Sequence, residues 1–204
     1  MKKVIIAFLL SNAAFAHASN SFDNIRFGVQ GTQVKSNSFG SYFGERYNPS
    51  ESKDLGGFYF SGSLDFGNNL YTSIDLTSVT RASTDLDNHF IGLGHHHDFG
   101  FNSFYVTAGA NKVKTVRHHS SNQESKFNEV ALGFEAGAKF QLSSFYAIQP
   151  QYRISFFDKG EMHDYRLNNE IMLTDLFSLE ASVGYNKFRD AEQFNWQGGV
   201  KFSF

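Results

Sequence analysis

The last twelve residues of the chain, Gln193 to Phe204, alternate strictly between two kinds of side chain. Counting back from Phe204, every second residue is apolar, aromatic or glycine, and the residues between them are polar or small. Because successive side chains of a β-strand point to opposite faces, this pattern predicts a strand with one apolar face. A strand needs about 9–11 residues to cross the hydrocarbon of a bilayer at a tilt. Length and pattern therefore favour a transmembrane strand over a strand of a soluble sandwich.

The same alternation recurs through most of the chain. It predicts nine further strands, near residues 25–32, 58–66, 70–77, 89–99, 104–111, 130–142, 146–156, 165–173 and 177–185. The seventh contains Pro150, which lacks a ladder hydrogen-bond donor. The eighth places Asn169 on its apolar face. Ten strands are expected, and eight remain if these two segments are misread.

The connections between the predicted strands alternate in length. Tight turns are expected at 67–69, 100–103, 143–144 and 174–176, and longer polar connections at 35–54, 82–88, 113–126, 157–164 and 187–192. Short turns on one side and longer loops on the other are typical of transmembrane barrels. The predicted fold is therefore all-β: a transmembrane antiparallel up-and-down β-barrel with both termini on the side of the tight turns.

The first eighteen residues have the pattern of a secretory signal peptide. Lys2 and Lys3 provide positive charge, Val4–Leu10 is a short apolar stretch, and overlapping Ala-x-Ala sites end at Ala16 and Ala18. The apolar stretch is too short for a membrane helix. We therefore expect a signal peptide at 1–18, cleaved after Ala16 or Ala18, and one barrel domain at 19–204. With no Cys near the site, a lipoprotein anchor is excluded.

The composition suits a wall with one lipid face and one polar face. The 204 residues include 24 Phe, 9 Tyr and 18 Gly but no Cys, so an oxidising compartment would add no disulfide. The formal net charge of −2 becomes −4 when the two lysines of the signal peptide are removed (−2 − 2). This balance provides no basic surface for nucleic acid.

The end of the chain resembles the closing strand of bacterial outer-membrane β-barrels. Trp196, Val200, Phe202 and Phe204 carry the likeness, and a terminal Phe is that family's assembly signal. Over nearly its whole length the chain is similar to small barrels of the OmpA-domain and OmpX kind with an extra hairpin. The resemblance implies a monomer in the outer membrane of a Gram-negative bacterium, reached by way of the signal peptide. The implied partners are the outer-membrane assembly machinery, outer-membrane lipid and lipopolysaccharide.

Charged residues on the polar faces predict the contents of the lumen. Acidic and basic residues are balanced there, and charges inside a narrow barrel are costly to desolvate unless they are paired. We therefore expect a lumen largely filled by ion pairs, and a structural or surface-interaction role. The alternative is a narrow porin-like channel for small solutes, although a selective pore would more typically carry a ring of one sign. The candidate ion-pair residues are Arg26, Asp65, Asp75, Glu135, Lys139, Arg153, Arg166, Glu170, Glu180 and Lys201.

Two finer predictions concern pairing and metal binding. The turn at 143–144 places Glu135 opposite residue 152 and diagonal to Arg153, which we expect to pair with it. In the run His95–His97 only His96 faces inward, because neighbouring side chains on a strand point to opposite faces. The histidines that face outward are therefore interpreted as side chains that anchor the barrel at the membrane–water interface. No signature of an outer-membrane lipase, lipid A-modifying enzyme or protease is found, so no enzymatic activity, metal or cofactor is predicted.

Overall fold

Ten antiparallel strands form one closed barrel in this computed structural model, which describes residues 22–35, 41–42, 53–118 and 124–204. The predicted signal peptide at 1–18 lies outside the described residues. The strands are β1 Asn24–Val34, β2 Lys53–Asp65, β3 Leu70–Arg81, β4 Thr84–Phe99, β5 Asn102–His118, β6 Glu124–Ser143, β7 Tyr146–Phe157, β8 Gly160–Met172, β9 Phe177–Phe188 and β10 Ala191–Ser203. The predicted ten-strand up-and-down barrel is confirmed, and the eight-strand alternative is wrong.

The first and last strands close the barrel along their full length. β1 pairs with β10 from Asn24 opposite Ser203 to Val34 opposite Gln193. Every other strand pairs with its neighbours in sequence. Closure leaves no open edge of unpaired N–H and C=O groups. Inside a bilayer no water is available to form hydrogen bonds with the backbone, so only helices and closed barrels can span the hydrocarbon.

Side chains alternate between the two faces of the wall. On β1, Ile25, Phe27 and Val29 project outward and are exposed, whereas Asn24 and Gln30 project inward and are buried. The other strands repeat the pattern, so large apolar side chains cover the outside of the barrel. A continuous apolar exterior of this extent requires lipid rather than water around it.

Aromatic side chains mark the borders of this apolar belt. Tyr152, Tyr165 and Tyr185 are direct partners on β7, β8 and β9, with ring centroids 4.9 Å and 6.4 Å apart. Near the tight turns, Phe99 stacks on Phe104 at 4.8 Å. Rings at two levels correspond to the aromatic girdles of membrane barrels.

Among the described residues, no helix is long and apolar enough to cross a membrane.

The connections on the side opposite the termini differ from the prediction. Three expected loops, at 82–88, 157–164 and 187–192, are two-residue connections at 82–83, 158–159 and 189–190. Positive φ angles of 52° at Ala82 and 55° at Arg189 produce the tight reversals. The polar residues in these segments extend the strands instead of forming loops. The longer connections are 35–52 and 119–123, so we call this the loop end of the barrel and the other the terminal end.

Both weakly predicted strands form, each with a local adjustment. The ladder between β6 and β7 is interrupted at Gln149 and Pro150, where the proline has no N–H to donate, and it resumes in the same register at Ile148. Asn169 faces outward on β8, where its Oδ1 accepts a hydrogen bond from the Tyr146 hydroxyl at 2.8 Å. Its Nδ2 donates to the carbonyl oxygen of Ala181 at 3.3 Å. These two hydrogen bonds provide partners for a polar amide on the lipid-facing side of the barrel.

Candidate functional site in the barrel lumen

All ten residues predicted for the lumen lie on inward-facing positions of their strands. Nine of them form ion pairs with one another, and the tenth, Asp65, contacts His96. Strand parity explains the placement, since each charged residue is an even number of positions from buried inward neighbours on its own strand. The structure arranges the ten side chains in separate clusters along the barrel.

The central cluster is organised around Arg153. Its Nη2 donates to Glu135 Oε2 at 2.6 Å and to Asp75 Oδ2 at 3.0 Å, and its Nε donates to Glu135 Oε2 at 2.8 Å. The Arg153 Cζ also lies 4.0 Å from the ring centroid of Phe90. Arg166 Nη1 donates to the same Asp75 oxygen at 3.0 Å. Two arginines therefore share one aspartate in the middle of the lumen.

Glu135 lies directly opposite Arg153 rather than diagonal to it. The two residues form the expected pair, in a register that differs by one residue from the one expected from the turn. The turn closes at Ser143 opposite Tyr146, with two residues between them, and the register then shifts between Gln141 and Ser143. A shift of this kind is a local irregularity of one strand, and it brings the two charged groups face to face.

A second cluster lies between β6, β8 and β10. Lys201 Nζ donates to both carboxylate oxygens of Glu170, at 3.0 Å and 2.9 Å. Lys139 Nζ is 3.4 Å from Glu170 Oε2, and the Ser178 hydroxyl donates to Glu170 Oε1 at 2.8 Å. Two buried ammonium groups thus share one carboxylate, which also has a neutral hydrogen-bond donor.

Arg26 connects this region to the opposite wall. Its Nη1 is 3.6 Å from Glu180 Oε1, and its Nε donates to Asn24 Oδ1 at 2.9 Å. Its Nη2 lies 3.4 Å from Gln149 Oε1 across the lumen. The Arg26 side chain therefore extends from β1 across the lumen to side chains of β7 and β9.

The terminal end of the lumen is filled by stacked rings. The ring of Phe22 stacks on that of His96 with centroids 4.1 Å apart and lies 4.6 Å from Tyr71. His96 Nε2 and Asp65 Oδ2 form a hydrogen bond of 2.7 Å. The prediction that only His96 of the three consecutive histidines faces inward is confirmed.

Amide side chains fill the lumen beyond the charged clusters. Gln197 Nε2 donates to Gln30 Oε1 at 2.7 Å, and the Ser182 hydroxyl donates to Gln197 Oε1 at 2.9 Å. On the other wall, Asn111 Nδ2 donates to the Ser155 hydroxyl at 2.9 Å. Neutral polar groups therefore continue the filling toward the loop end.

At the loop end the lumen is apolar, which sequence reasoning missed. Phe188 packs against Phe127 and Phe157, each with ring centroids 5.6 Å away, and against Tyr42 at 5.3 Å. The Tyr42 hydroxyl accepts a hydrogen bond from Gln193 Nε2 at 2.6 Å. The members of this apolar cap are Val34, Tyr42, Leu55, Val79, Leu86, Val113, Phe127, Ala131, Phe157, Met162, Phe188 and Ala191. A signal was present in the segments predicted as loops, where six members of the cap keep the inward parity of their strands: Leu86, Val113, Phe157, Met162, Phe188 and Ala191.

Little open space remains along the barrel axis. Inward side chains at several levels are at most 1% exposed: Ser103 and Lys201 toward the terminal end, the direct cross-strand partners Phe90 and Asn111, and Phe188 toward the loop end. The spaces between side chains include a polar cavity of ≈ 90 Å³ and a smaller one of ≈ 20 Å³. A water-filled pore would expose its inward side chains, so this arrangement describes a filled interior.

The described ranges contain no set of three or more His, Asp or Glu side chains placed to hold a metal ion. His96 is occupied by Asp65 and Asp98, at 2.7 Å and 3.3 Å. The charged inward side chains therefore neutralise one another.

Several solved barrels are similar to this chain. The attachment invasion locus protein Ail of Yersinia pestis is 17% identical, with 89% of this chain and 97% of that chain covered and a TM-score of 0.47. Neisserial surface protein A is 15% identical over 90% and 98%, with a TM-score of 0.42. The NanC porin is 7% identical over 89% and 100%, with a TM-score of 0.46. No protein-family model matches the sequence, and no curated protein is significantly similar to it.

The class of this protein follows from its own architecture. A closed antiparallel sheet surrounds a polar, charged interior, and its exterior is an apolar belt bordered by aromatic rings. These are the features that define barrels of outer membranes. The chain is a small ten-stranded β-barrel of the outer-membrane type.

Proposed function

We propose that this protein is an integral outer-membrane barrel with a structural or surface-interaction role and that it does not conduct solutes. The observation that carries the proposal is the almost complete burial of inward side chains at several levels of the lumen, among them Ser103, Phe90 and Phe188. Two further features support it: stacked rings fill the terminal end, and the apolar cap fills the loop end. The lumen then serves to stabilise the wall, and the contacts of the protein are made on its outside.

The ion pairs are proposed to act as the internal support of this wall. A buried charge is tolerated when its partners are close and hydrogen-bonded. Arg153, with two carboxylates within 3.0 Å, meets that condition. A ring of one charge sign, which would favour ion selection, is not the arrangement around it, because Asp75 is flanked by two arginines.

The proposed orientation places the terminal end in the periplasm and the loop end at the cell surface. The signal peptide pattern and the alternation that ends at Phe204 support export and insertion by the outer-membrane assembly machinery. At the loop end, the ion pairs of Arg81 with Asp54 and of Lys159 with Glu129 place exposed charged side chains at the surface. We propose a monomer without cofactor or enzymatic activity, in contact with outer-membrane lipid and lipopolysaccharide.

Conductance of the purified protein in a planar bilayer tests this proposal. We expect a silent bilayer, because buried side chains obstruct the lumen at several levels. A general porin inserted under the same conditions is the control for insertion and detection. Stable single-channel steps would overturn the proposal in favour of the narrow porin. If the bilayer stays silent, binding of expressing cells to host surfaces is compared with binding of cells that lack the protein, to identify the surface partner.

A further inference from the structure

The ladder between β6 and β7 differs from the other ladders of the barrel. It is interrupted at Gln149 and Pro150, where the proline has no N–H to donate, and its register shifts between Gln141 and Ser143. Along the described strands the other ladders are continuous and each keeps one register, including the closure of β1 on β10. The boundary between β6 and β7, which we call the seam, is therefore the part of the wall with the weakest backbone pairing.

The seam is also short at the loop end. Its last pair is Leu132 opposite Phe156, whereas β6 continues as far as Glu124 with β5 as its partner. Beyond Leu132 a side-chain contact reaches β6 from the β7–β8 turn, with Lys159 Nζ 3.6 Å from Glu129 Oε1. Because the lysine is exposed, this ion pair contributes little stability. Separation of the two strands can therefore begin at the loop end.

Buried side chains connect β6 with β7 across the seam. Glu135 lies opposite Arg153, whose Nη2 and Nε donate to Glu135 Oε2 at 2.6 Å and 2.8 Å. Gln151 Nε2 donates to the same oxygen at 2.6 Å. These three residues lie between the interruption at Pro150 and the end of the ladder at Leu132. We call them the clasp, because two side chains of β7 hold one carboxylate of β6.

The seam separates a polar cavity from an apolar groove. Inside the barrel, the cavity of ≈ 90 Å³ is lined by Lys139 of β6 and Gln149 of β7, among others, and by all three clasp residues. Outside, the direct partners Ala136 and Tyr152 line a groove on the lipid-facing wall. The backbones of the two strands lie between these spaces. A separation of β6 from β7 would therefore join the cavity to the lipid-facing side.

We propose that the seam is a lateral gate in the wall and that the clasp holds it closed. The inference goes beyond the proposed function, because it adds a conformational change that admits water and small polar groups from the side while the lumen stays closed along its axis. The closed state is the resting state, since backbone groups without partners are costly in hydrocarbon. When the clasp breaks, Arg153 keeps Asp75 at 3.0 Å, and Glu135 loses its cation.

Hydrogen–deuterium exchange of the folded protein in phosphatidylcholine nanodiscs, read by mass spectrometry, tests the gate. In the wild type, amides of the seam are expected to exchange at least about tenfold faster than those of β1 and β10. Glu135→Gln weakens the clasp and is expected to raise exchange at the seam about tenfold further, with little change at β1 and β10.

The matched control is Glu180→Gln, which removes another buried carboxylate paired with an arginine, Arg26 at 3.6 Å. It is expected to leave exchange at the seam like that of the wild type. Equal exchange at the seam and at the closure of β1 on β10 in the wild type would overturn the proposal. So would an increase spread evenly over all strands in Glu135→Gln.

A second pair of variants tests the interruption at the proline. Pro150→Val supplies the missing N–H and is expected to slow exchange at the seam about threefold. Ile148→Val, on the same face of β7, already has its ladder partner Phe140 and is expected to exchange like the wild type. Equal exchange by these two variants would contradict a seam weakened by Pro150.

Labelling of one introduced thiol tests the lateral route. Gln149→Cys places a thiol beside the cavity behind the seam, in a chain that has no other cysteine. N-ethylmaleimide is expected to label it faster in combination with Glu135→Gln than with Glu180→Gln, and equal rates would refute lateral access. Conductance of the same samples separates the two inferences, since a conducting wild type refutes the filled lumen without altering the exchange result.

Discussion

At the scale of single residues, Arg153 distinguishes a filled lumen from an open one. Replacement by Ala leaves the buried Glu135 carboxylate without its cation, while Asp75 keeps Arg166. We expect Arg153→Ala to lower the free energy of unfolding by about 3–5 kcal/mol, the usual result of breaking a buried pair. Urea unfolding in detergent measures it.

A double variant provides the control for this prediction. Arg153→Ala with Glu135→Gln removes the unpaired charge, so part of the lost stability is expected to return. Arg81→Ala, at the exposed rim, is expected to change the unfolding free energy little. An unchanged midpoint for Arg153→Ala would contradict a dry, filled lumen.

The single tryptophan reports on close packing between β1 and β10. A Cβ added at Gly31 would lie 2.2–2.3 Å from ring atoms of Trp196, so Gly31→Ala must displace the indole. We expect a shifted fluorescence emission and a loss of about 1–3 kcal/mol in stability.

Gly198→Ala is the matched control, because a Cβ there meets nothing within 4 Å. It lies two residues from Trp196 on the same face of β10 and should leave the emission unchanged. Identical spectra for Gly31→Ala and the wild type would show that Trp196 does not cover Gly31.

At the scale of the element, β10 both closes the barrel and carries the proposed assembly signal. Trp196, Val200 and Phe202 lie on the outward face of β10, Phe204 follows its last residue, and β10 joins two strands, β9 and β1. We expect deletion of Phe204, or Phe204→Lys, to block outer-membrane assembly with little effect on export. Fractionation of cells and surface proteolysis measure both steps.

Phe145→Lys is the control for this prediction. Phe145 is an exposed aromatic residue at the β6–β7 turn, so the variant introduces the same charge at the same end of the barrel without altering β10. It is expected to assemble normally. Wild-type surface levels of the Phe204→Lys variant would refute the assembly role.

At the scale of the whole molecule, closure predicts cooperative behaviour in detergent. Because each strand depends on two neighbours, including β1 on β10, the barrel is expected to unfold as a unit. The folded protein should migrate differently from the boiled protein on a gel and give a β-type circular dichroism spectrum. A helical spectrum, or a folded monomer in plain buffer, would contradict the fold.

The sequence by itself determined the strands and the faces of their residues. Alternation is a local property of the extended backbone, so the inward position of Glu135 or Lys201 and the outward position of Phe27 follow from parity alone. The tight turn at 67–69 was equally local, because Asn68 and Asn69 tolerate the positive φ angles of 57° and 63° found there.

Only the tertiary structure decided which inward residues meet. The pairing register of Glu135 with Arg153 depends on a shift near Gln141, and Asp75, which contacts Arg153, lies four strands away from it in chain order. The apolar cap depends on closure as well. Phe127, Phe157 and Phe188 belong to strands that extend further than their polar neighbours suggested, and they touch only because the barrel curves them around one axis. Contacts between residues far apart in sequence arise from strand order, register and closure, which no local pattern encodes.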